Sequence, residues 1–345
     1  MHDFGFCGAF EQETTVFGAQ RPGYPLEDVD ENTVREWVDF MKENGIKRVV
    51  CLLPQEQLDY YTEPLLYIYE EEFGGENVLW APVNDYNLCD KKTLARILYF
   101  LKEADDKGEK VVVHCSGGSG RTGHVLAAWL VFGRGFSAEE AILAVERSGR
   151  NPYEAIEYGN AEEEDLVSLL DFARILSQNR CVRIALVGLG GAGSSILQKV
   201  VENQWVHKLI DAYVVNECRR IEGARFYGFE HVDKLVQKLS EYDHVILTAG
   251  LGGNGGDYLV YLSKRLENVA AIFVSTPFRV EKTRCLRAES QLLWLKGHVF
   301  VKDLNELLTL MPNATIETAI EFFDREMAEE ILNKIVELVA EEVWL

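Results

Sequence analysis

Val111-Val112-Val113-His114-Cys115-Ser116-Gly117-Gly118-Ser119-Gly120-Arg121-Thr122-Gly123 decides how the first half of the chain is read. Three β-branched residues run into His114 and Cys115, five small residues follow, and Arg121 closes the stretch. Residues 124–132 are an apolar run that predicts a buried helix. A cysteine thus stands where a strand ends and a helix begins, with a glycine-rich turn between.

That geometry explains the residue types. A tight turn at a helix N-terminus points several backbone N–H groups at one spot and forms a cradle for a tetrahedral anion. Gly117, Gly118 and Gly120 permit backbone conformations closed to other residues and leave room for a phosphate, to which Ser116 and Ser119 add their own amides. Arg121 supplies a planar, two-pronged contact to phosphate oxygens. The same donors favour a thiolate at Cys115. An anion site with a nucleophile at its floor is equipped for phosphoryl transfer through a cysteinyl-phosphate. The leaving oxygen still needs a proton, so an acid must stand above the sulfur. Asp85, in a loop after a strand and 30 residues before Cys115, is the first candidate, and Asp90 competes with it.

His114-Cys115-x-x-Gly118-x-x-Arg121-Thr122-Gly123 resembles the signature of protein tyrosine and dual-specificity phosphatases. The resemblance covers roughly residues 10–176 and implies a metal-free, cofactor-free phosphomonoesterase of that α/β fold. Such enzymes carry a Pro-x-x-Asp loop upstream, matched by Pro82-Val83-Asn84-Asp85. Thr122 is expected to hydrogen-bond the thiolate or help release it, and His114 to order the loop from beneath. Arg150-Asn151-Pro152-Tyr153-Glu154-Ala155-Ile156-Glu157 resembles the segment that follows the signature in small dual-specificity enzymes; its plain alternative is a helix-linking turn. The half is shorter than a large tyrosine-phosphatase domain, so the compact dual-specificity group fits better. Ser116, Gly117 and Ser119 stand where phosphoinositide-directed relatives carry lysines.

The 345 residues suffice for two domains, taken as 1–177 and 178–345. No apolar stretch of membrane-spanning length and no signal-peptide pattern are seen in the sequence. Seven scattered cysteines without a Cys-x-x-Cys pair speak against a disulfide framework and against zinc, and a reducing cytoplasm is the expected home. Residues 1–178 hold 16 Lys and Arg against 33 Asp and Glu, whereas residues 179–345 hold 19 against 23. So acidic a body repels polyanions, which weighs against nucleic acid or an anionic membrane as the main partner.

Strands are expected at 15–17, 48–53, 77–81 and 110–114, and helices at 32–44, 92–106, 137–147 and 161–176. Their alternation is that of an α/β sheet covered on both faces.

Residues 176–180 read as a linker. A strand at 181–187 then leads into Gly188-Leu189-Gly190-Gly191-Ala192-Gly193 and a helix from Ser194, again a strand, a phosphate turn and a helix N-terminus. An NAD-type domain would want an acidic residue ending its second strand; here Asn216 precedes Glu217. A second cluster, Gly250-Leu251-Gly252-Gly253-Asn254-Gly255-Gly256, follows the strand from His244, and another strand spans 270–275. In a doubly wound sheet one nucleotide could touch both turns. This order resembles the GTP-binding domain of the tubulin/FtsZ family, a Rossmann-like fold, through Gly188–Gly193, Asn216, Ala249–Gly253, Pro277-Phe278, Glu281 and Arg284. It implies GTP or GDP at Gly188, Gly190, Gly191, Gly193, Asn216, Gly252, Gly253, Asn254, Glu281 and Arg284. The helix at 316–338, with Ile316, Ile320, Phe323, Met327, Ile331 and Ile335 on one face, resembles that family's central helix.

There are departures. The second glycine loop lacks the family's threonine, and the segment from Asn216 to His244 looks too short for the usual extra strand. The sequence ends at Leu345, before the family's activation domain, so GTPase-driven polymerisation is not expected.

The sequence therefore supports a cytoplasmic phosphoprotein phosphatase. Its second half would sense a nucleotide or bind a tubulin/FtsZ-family protein. A non-catalytic phosphoprotein- or filament-binding regulator is the alternative, as is an NAD-type second domain.

Overall fold

The computed structural model describes residues 3–178, 182–311 and 314–341. The chain divides into two units, Met1–Asn179 and Arg180–Leu345. In the first, β1 (Cys7–Gly8), β2 (Val16–Ala19), β3 (Ile46–Cys51), β4 (Val78–Trp80) and β5 (Lys110–His114) form one sheet in the order β1-β2-β5-β3-β4. All neighbours are parallel except β1 with β2. The helices are α1 (Glu31–Glu43), α2 (Gln55–Leu58), α3 (Leu65–Phe73), α4 (Lys91–Lys107), α5 (Gly120–Arg134), α6 (Ala138–Arg147), α7 (Glu154–Glu157) and α8 (Glu163–Ser177).

Local chemistry sets these boundaries. Asp30 caps α1 by accepting from the Thr33 amide at 2.8 Å, and Gly45, with φ +80°, turns the chain into β3. Ser137 and Glu140 form a capping box on α6. Residues 120–131 of α5 are all buried, as expected of a helix that is apolar on every side. It packs against α4, α6 and α8, and its N-terminus faces the end of the central strand β5. The short β1, α2 and α7 have too few residues to show a periodicity, and the sequence reading assigns no strand or helix to them or to α3.

In the second unit β6 (Ile184–Leu189), β7 (Ile210–Val215), β8 (Ala224–Tyr227), β9 (His244–Gly250), β10 (Val269–Thr276) and β11 (Val299–Asp303) form a parallel sheet ordered β11-β10-β9-β6-β7-β8. The helices are α9 (Gly190–Val201), α10 (Val232–Leu239), α11 (Asn254–Ser263), α12 (Lys282–Trp294), α13 (Leu307–Leu310) and α14 (Ile316–Glu341). Strand order reverses between β6 and β9, the switch point at which doubly wound sheets open a crevice.

Four expectations need correction. The helix placed at Ser194 begins at Gly190, because that residue's φ of +68° turns the chain within a single position. The strand placed at 181–187 runs from Ile184 to Leu189; residues 179–181, part of the expected linker and strand, lie outside the described residues. The segment before His244 does hold a further strand, β8, paired parallel with β7, and the helix α10. On α14, Phe323, Met327, Ile331 and Ile335 are buried as expected, but Ile316 and Ile320 are exposed. Among the described residues no helix is long and apolar enough to cross a membrane.

Candidate active site

The loop from Cys115 to Ser119 leaves β5 and enters α5 directly. Cys115 is buried at its base. Gly118 has φ +70°, and a Cβ there would lie 2.6 Å from the Ala19 carbonyl oxygen, so no other residue fits. Two buried arginines hold the loop from outside. Arg21 donates from its backbone N–H to the Ser116 carbonyl at 3.0 Å and from Nε to Ser116 Oγ at 3.1 Å. Arg150 Nη1 donates to the Gly118 carbonyl, while its Nη2 reaches the Gly5 carbonyl at 3.1 Å. With loop carbonyls engaged outward, the loop's amides are left to face an anion.

Arg121 is buried and held by three partners. Nη2 lies 2.8 Å from Asp85 Oδ1, and Nη1 donates to Gln57 Oε1 at 2.9 Å and to the Val83 carbonyl at 3.1 Å. Its Nε is buried without a partner, which leaves one donor for an oxyanion. Gln57 Nε2 also donates to Asp85 Oδ2 at 2.9 Å. Gln57 therefore ties acid and guanidinium together. Sequence reasoning missed it because α2 is a single turn far from the signature.

Asp90 has a different occupation. It is the N-cap of α4, accepting from the Thr93 amide at 2.9 Å and from Thr93 Oγ1 at 2.7 Å. Only Asp85 of the two contacts Arg121.

His114 lies beneath the loop. Its Nε2 shares a hydrogen bond with the Tyr69 hydroxyl at 3.1 Å, and its ring meets Trp37 edge-on at 5.3 Å. Burial pushes its pKa down to about 3, so it is neutral and no base at physiological pH. His124, on α5, is lowered to about 3 for the same reason. The hydrogen bond expected from Thr122 to the sulfur is not formed; Thr122 Oγ1 is buried without a partner.

Glu154 stands in the sequence only within a helix-linking segment, yet it reaches the loop. It accepts from the Gly120 N–H, and a Cβ on Gly120 would lie 1.9 Å from its Oε2. Burial, then the charge of Asp85, raises its pKa against the opposing pull of Arg121. Among the described residues no group of three or more His, Cys, Asp or Glu is arranged to hold a metal.

In the second unit the two glycine turns meet at the β6–β9 switch point. A Cβ on Gly190 would lie 3.0 Å from Gly255 Cα, whereas one on Gly191 or Gly253 would meet nothing within 4 Å. Neither α9 nor α11 has a side-chain cap, so both N-termini present amides beside that open space. The other expected ligands serve packing or internal bonds. Gly188 and Gly193 allow close approach, with a Cβ on Gly193 falling 2.3 Å from the Thr248 carbonyl oxygen. Asn216 donates to Ser194 Oγ at 3.0 Å, and Glu281 pairs with Arg284 at 2.6 Å. The Gly252 amide donates to Gln291 Oε1 at 2.7 Å, and Asn254 accepts from Arg287 at 3.1 Å.

A strand, a glycine turn holding Cys115 and Arg121, and a helix N-terminus make an anion-binding arrangement with a thiol at its floor. The sequence model of a family described as "Polymorphic toxin system, DSP-PTPase phosphatase" matches residues 27–134. A protein of Archaeoglobus fulgidus, named only as uncharacterized, is 38% identical over 169 residues, 45% of this chain and 95% of that one. The chain belongs to the same family as that archaeal protein. Cell division protein FtsZ 2 of Haloferax volcanii is 28% identical over 210 residues, 52% of each chain, so about half of that relative is spanned. Among solved structures, Tk-PTP in its active form is 27% identical and covers 47% of this chain and 92% of its own, with a TM-score of 0.35. The empty FtsZ dimer of M. jannaschii is 21% identical and covers 52% of this chain and 60% of its own, with a TM-score of 0.42. The molecule joins a phosphatase domain of the DSP-PTPase type to an FtsZ-like domain.

Both buried histidines give a pH signature. The unfolded chain takes up protons near about pH 6.5, whereas folded His114 and His124 resist down to about 3. The stability they sustain is complete above the unfolded value and is lost as pH falls toward the folded one. Imidazole NMR signals assigned through His114→Gln and His124→Gln are expected to stay put between pH 8 and 5. A His114 titration centred near its ordinary value would contradict the burial argument.

Proposed function

We propose that the first unit hydrolyses phosphoprotein monoesters, phosphotyrosine and/or phosphoserine or phosphothreonine, in two steps. In the first, Cys115 Sγ attacks phosphorus, the S–P bond forms, the P–O bond to the leaving group breaks, and the Asp85 carboxyl gives that oxygen its proton. In the second, Asp85 takes a proton from water as its oxygen attacks phosphorus, and the S–P bond breaks to regenerate the thiolate. Arg121 and the amides of residues 116–120 hold the phosphoryl oxygens throughout. The contact between Arg121 and Asp85 across the mouth of a cysteine-floored cradle carries this reading. A bound dianion would draw the guanidinium toward itself and free the carboxyl to carry a proton. Tyr24, 41% exposed, stands 3.4 Å from where a Gly117 Cβ would be, and offers an aromatic wall to a phosphotyrosine ring.

Cys115→Ser is expected to abolish p-nitrophenyl phosphate hydrolysis while leaving phosphate binding largely intact; unaltered turnover would remove Cys115 as nucleophile. Asp85→Ala is expected to lose about 10²–10⁴-fold on esters with poor leaving groups. A larger loss in Asp90→Ala would transfer the acid role to Asp90.

For the second unit we propose a bound GTP or GDP, in a cytoplasmic protein whose partner is a tubulin/FtsZ-family protein. The paired, uncapped helix starts and the open space above Gly191 and Gly253 support it. Gly190, Gly191 and Gly253 would hold the phosphates. Saturating nucleotide at about 100 times its Kd would add about 2.7 kcal/mol of stability, read as a rise in the melting temperature that Gly191→Glu removes. No rise at millimolar GTP or GDP would leave a scaffold without a nucleotide.

A further inference from the structure

The loop that carries Asp85 is held from outside by the segment following α7. The Tyr86 ring stacks on Tyr158 with centroids 4.0 Å apart and planes inclined by 22°. Asn160 Nδ2 donates to the Tyr86 carbonyl at 2.9 Å. Tyr86 has φ +57°, a left-handed conformation that residues with side chains adopt rarely and keep only where surrounding contacts impose it. Within the loop, the Tyr86 amide donates to Asp85 Oδ1 at 3.2 Å and Asn87 Nδ2 to the Asp85 carbonyl at 2.8 Å. The unusual turn at Tyr86 is therefore linked on one side to the acid and on the other to Tyr158 and Asn160.

Tyr158 is 61% exposed and Asn160 is exposed, so neither serves the core. That segment and α7 form one short stretch that begins with Glu154, which touches Gly120 at the start of α5. It thus spans from the phosphate loop to the acid loop, two pieces of chain about 30 residues apart in sequence whose separation must be fixed for proton transfer.

We infer that Tyr158 and Asn160 are positioning residues that clasp the 82–87 loop, so that the Asp85 carboxyl stands at the leaving-group side of the cradle. The inference rests on the phosphatase reading given above. The step affected is the first one, in which the Asp85 proton passes to the leaving oxygen as the S–P bond forms and the P–O bond breaks. Nitrophenolate leaves with little help from an acid, whereas phenolate needs the proton.

The test compares kcat/KM on phenyl phosphate and p-nitrophenyl phosphate in the full chain. Tyr158→Ala and Asn160→Ala are each expected to lose about tenfold on phenyl phosphate and less than about threefold on p-nitrophenyl phosphate. Tyr158→Phe keeps the stack and loses only the contact of its hydroxyl with that of Tyr86, so it is expected to lose less than Tyr158→Ala on phenyl phosphate. In an Asp85→Asn background, Tyr158→Ala should add no further loss on phenyl phosphate. Equal losses on both esters, no loss on either, an equally impaired Tyr158→Phe, or an additive loss without Asp85 would overturn the clasp. Failure of the underlying reading looks different, since Cys115→Ser would then retain turnover of both esters.

Discussion

The loop between β5 and α5 depends on two buried guanidinium groups that grip its outer side. Arg21 engages Ser116 and Arg150 engages Gly118, and each also anchors to backbone carbonyls elsewhere in the first unit. A hydrogen bond from a charged donor contributes about 1.5–3 kcal/mol, enough to hold a glycine-rich loop whose own backbone prefers many conformations. Gly118 in its left-handed conformation, against the Ala19 carbonyl, fixes the same loop from the inside of the sheet. A phosphate cradle around Cys115 requires this loop to keep that shape.

The two units solve one problem twice. In each, a central parallel strand ends in a glycine turn that opens a helix, and the helix start supplies N–H donors. The first places a thiol and a buried guanidinium at its turn, and couples that guanidinium to the Asp85 carboxyl through Gln57. The second has no such chemistry at its turns. Its glycines at 190 and 255 meet backbone to backbone, which brings two helix starts to one place.

The signature was legible because it is local: strand, turn, cysteine and arginine fall within thirteen residues, and each residue type has a physical reason. Asp85 was legible from its loop and spacing, while Asp90 could be told from it only by seeing the Thr93 amide that it caps. Gln57, Arg21, Glu154, Tyr158 and Asn160 were not singled out, since each reaches the site from an element whose own sequence pattern says nothing of that destination. In the second half the parallel sheet followed from hydrophobic runs and glycine clusters. The β8 strand was missed because it is four residues long and half-buried, with no alternation to mark it. The turn at Gly190 was drawn too long because spacing alone does not show which glycine carries the positive φ.

The most direct measurement of the central claim is to trap the covalent intermediate. Asp85→Asn, which slows removal of the phosphoryl group by water, is mixed with p-nitrophenyl phosphate, quenched within one turnover, and digested for mass spectrometry. A single phosphoryl group on the peptide containing Cys115, absent in Cys115→Ser, is the predicted result. Turnover with the phosphoryl group on another residue, or on none, would contradict the assignment of Cys115 as the nucleophile.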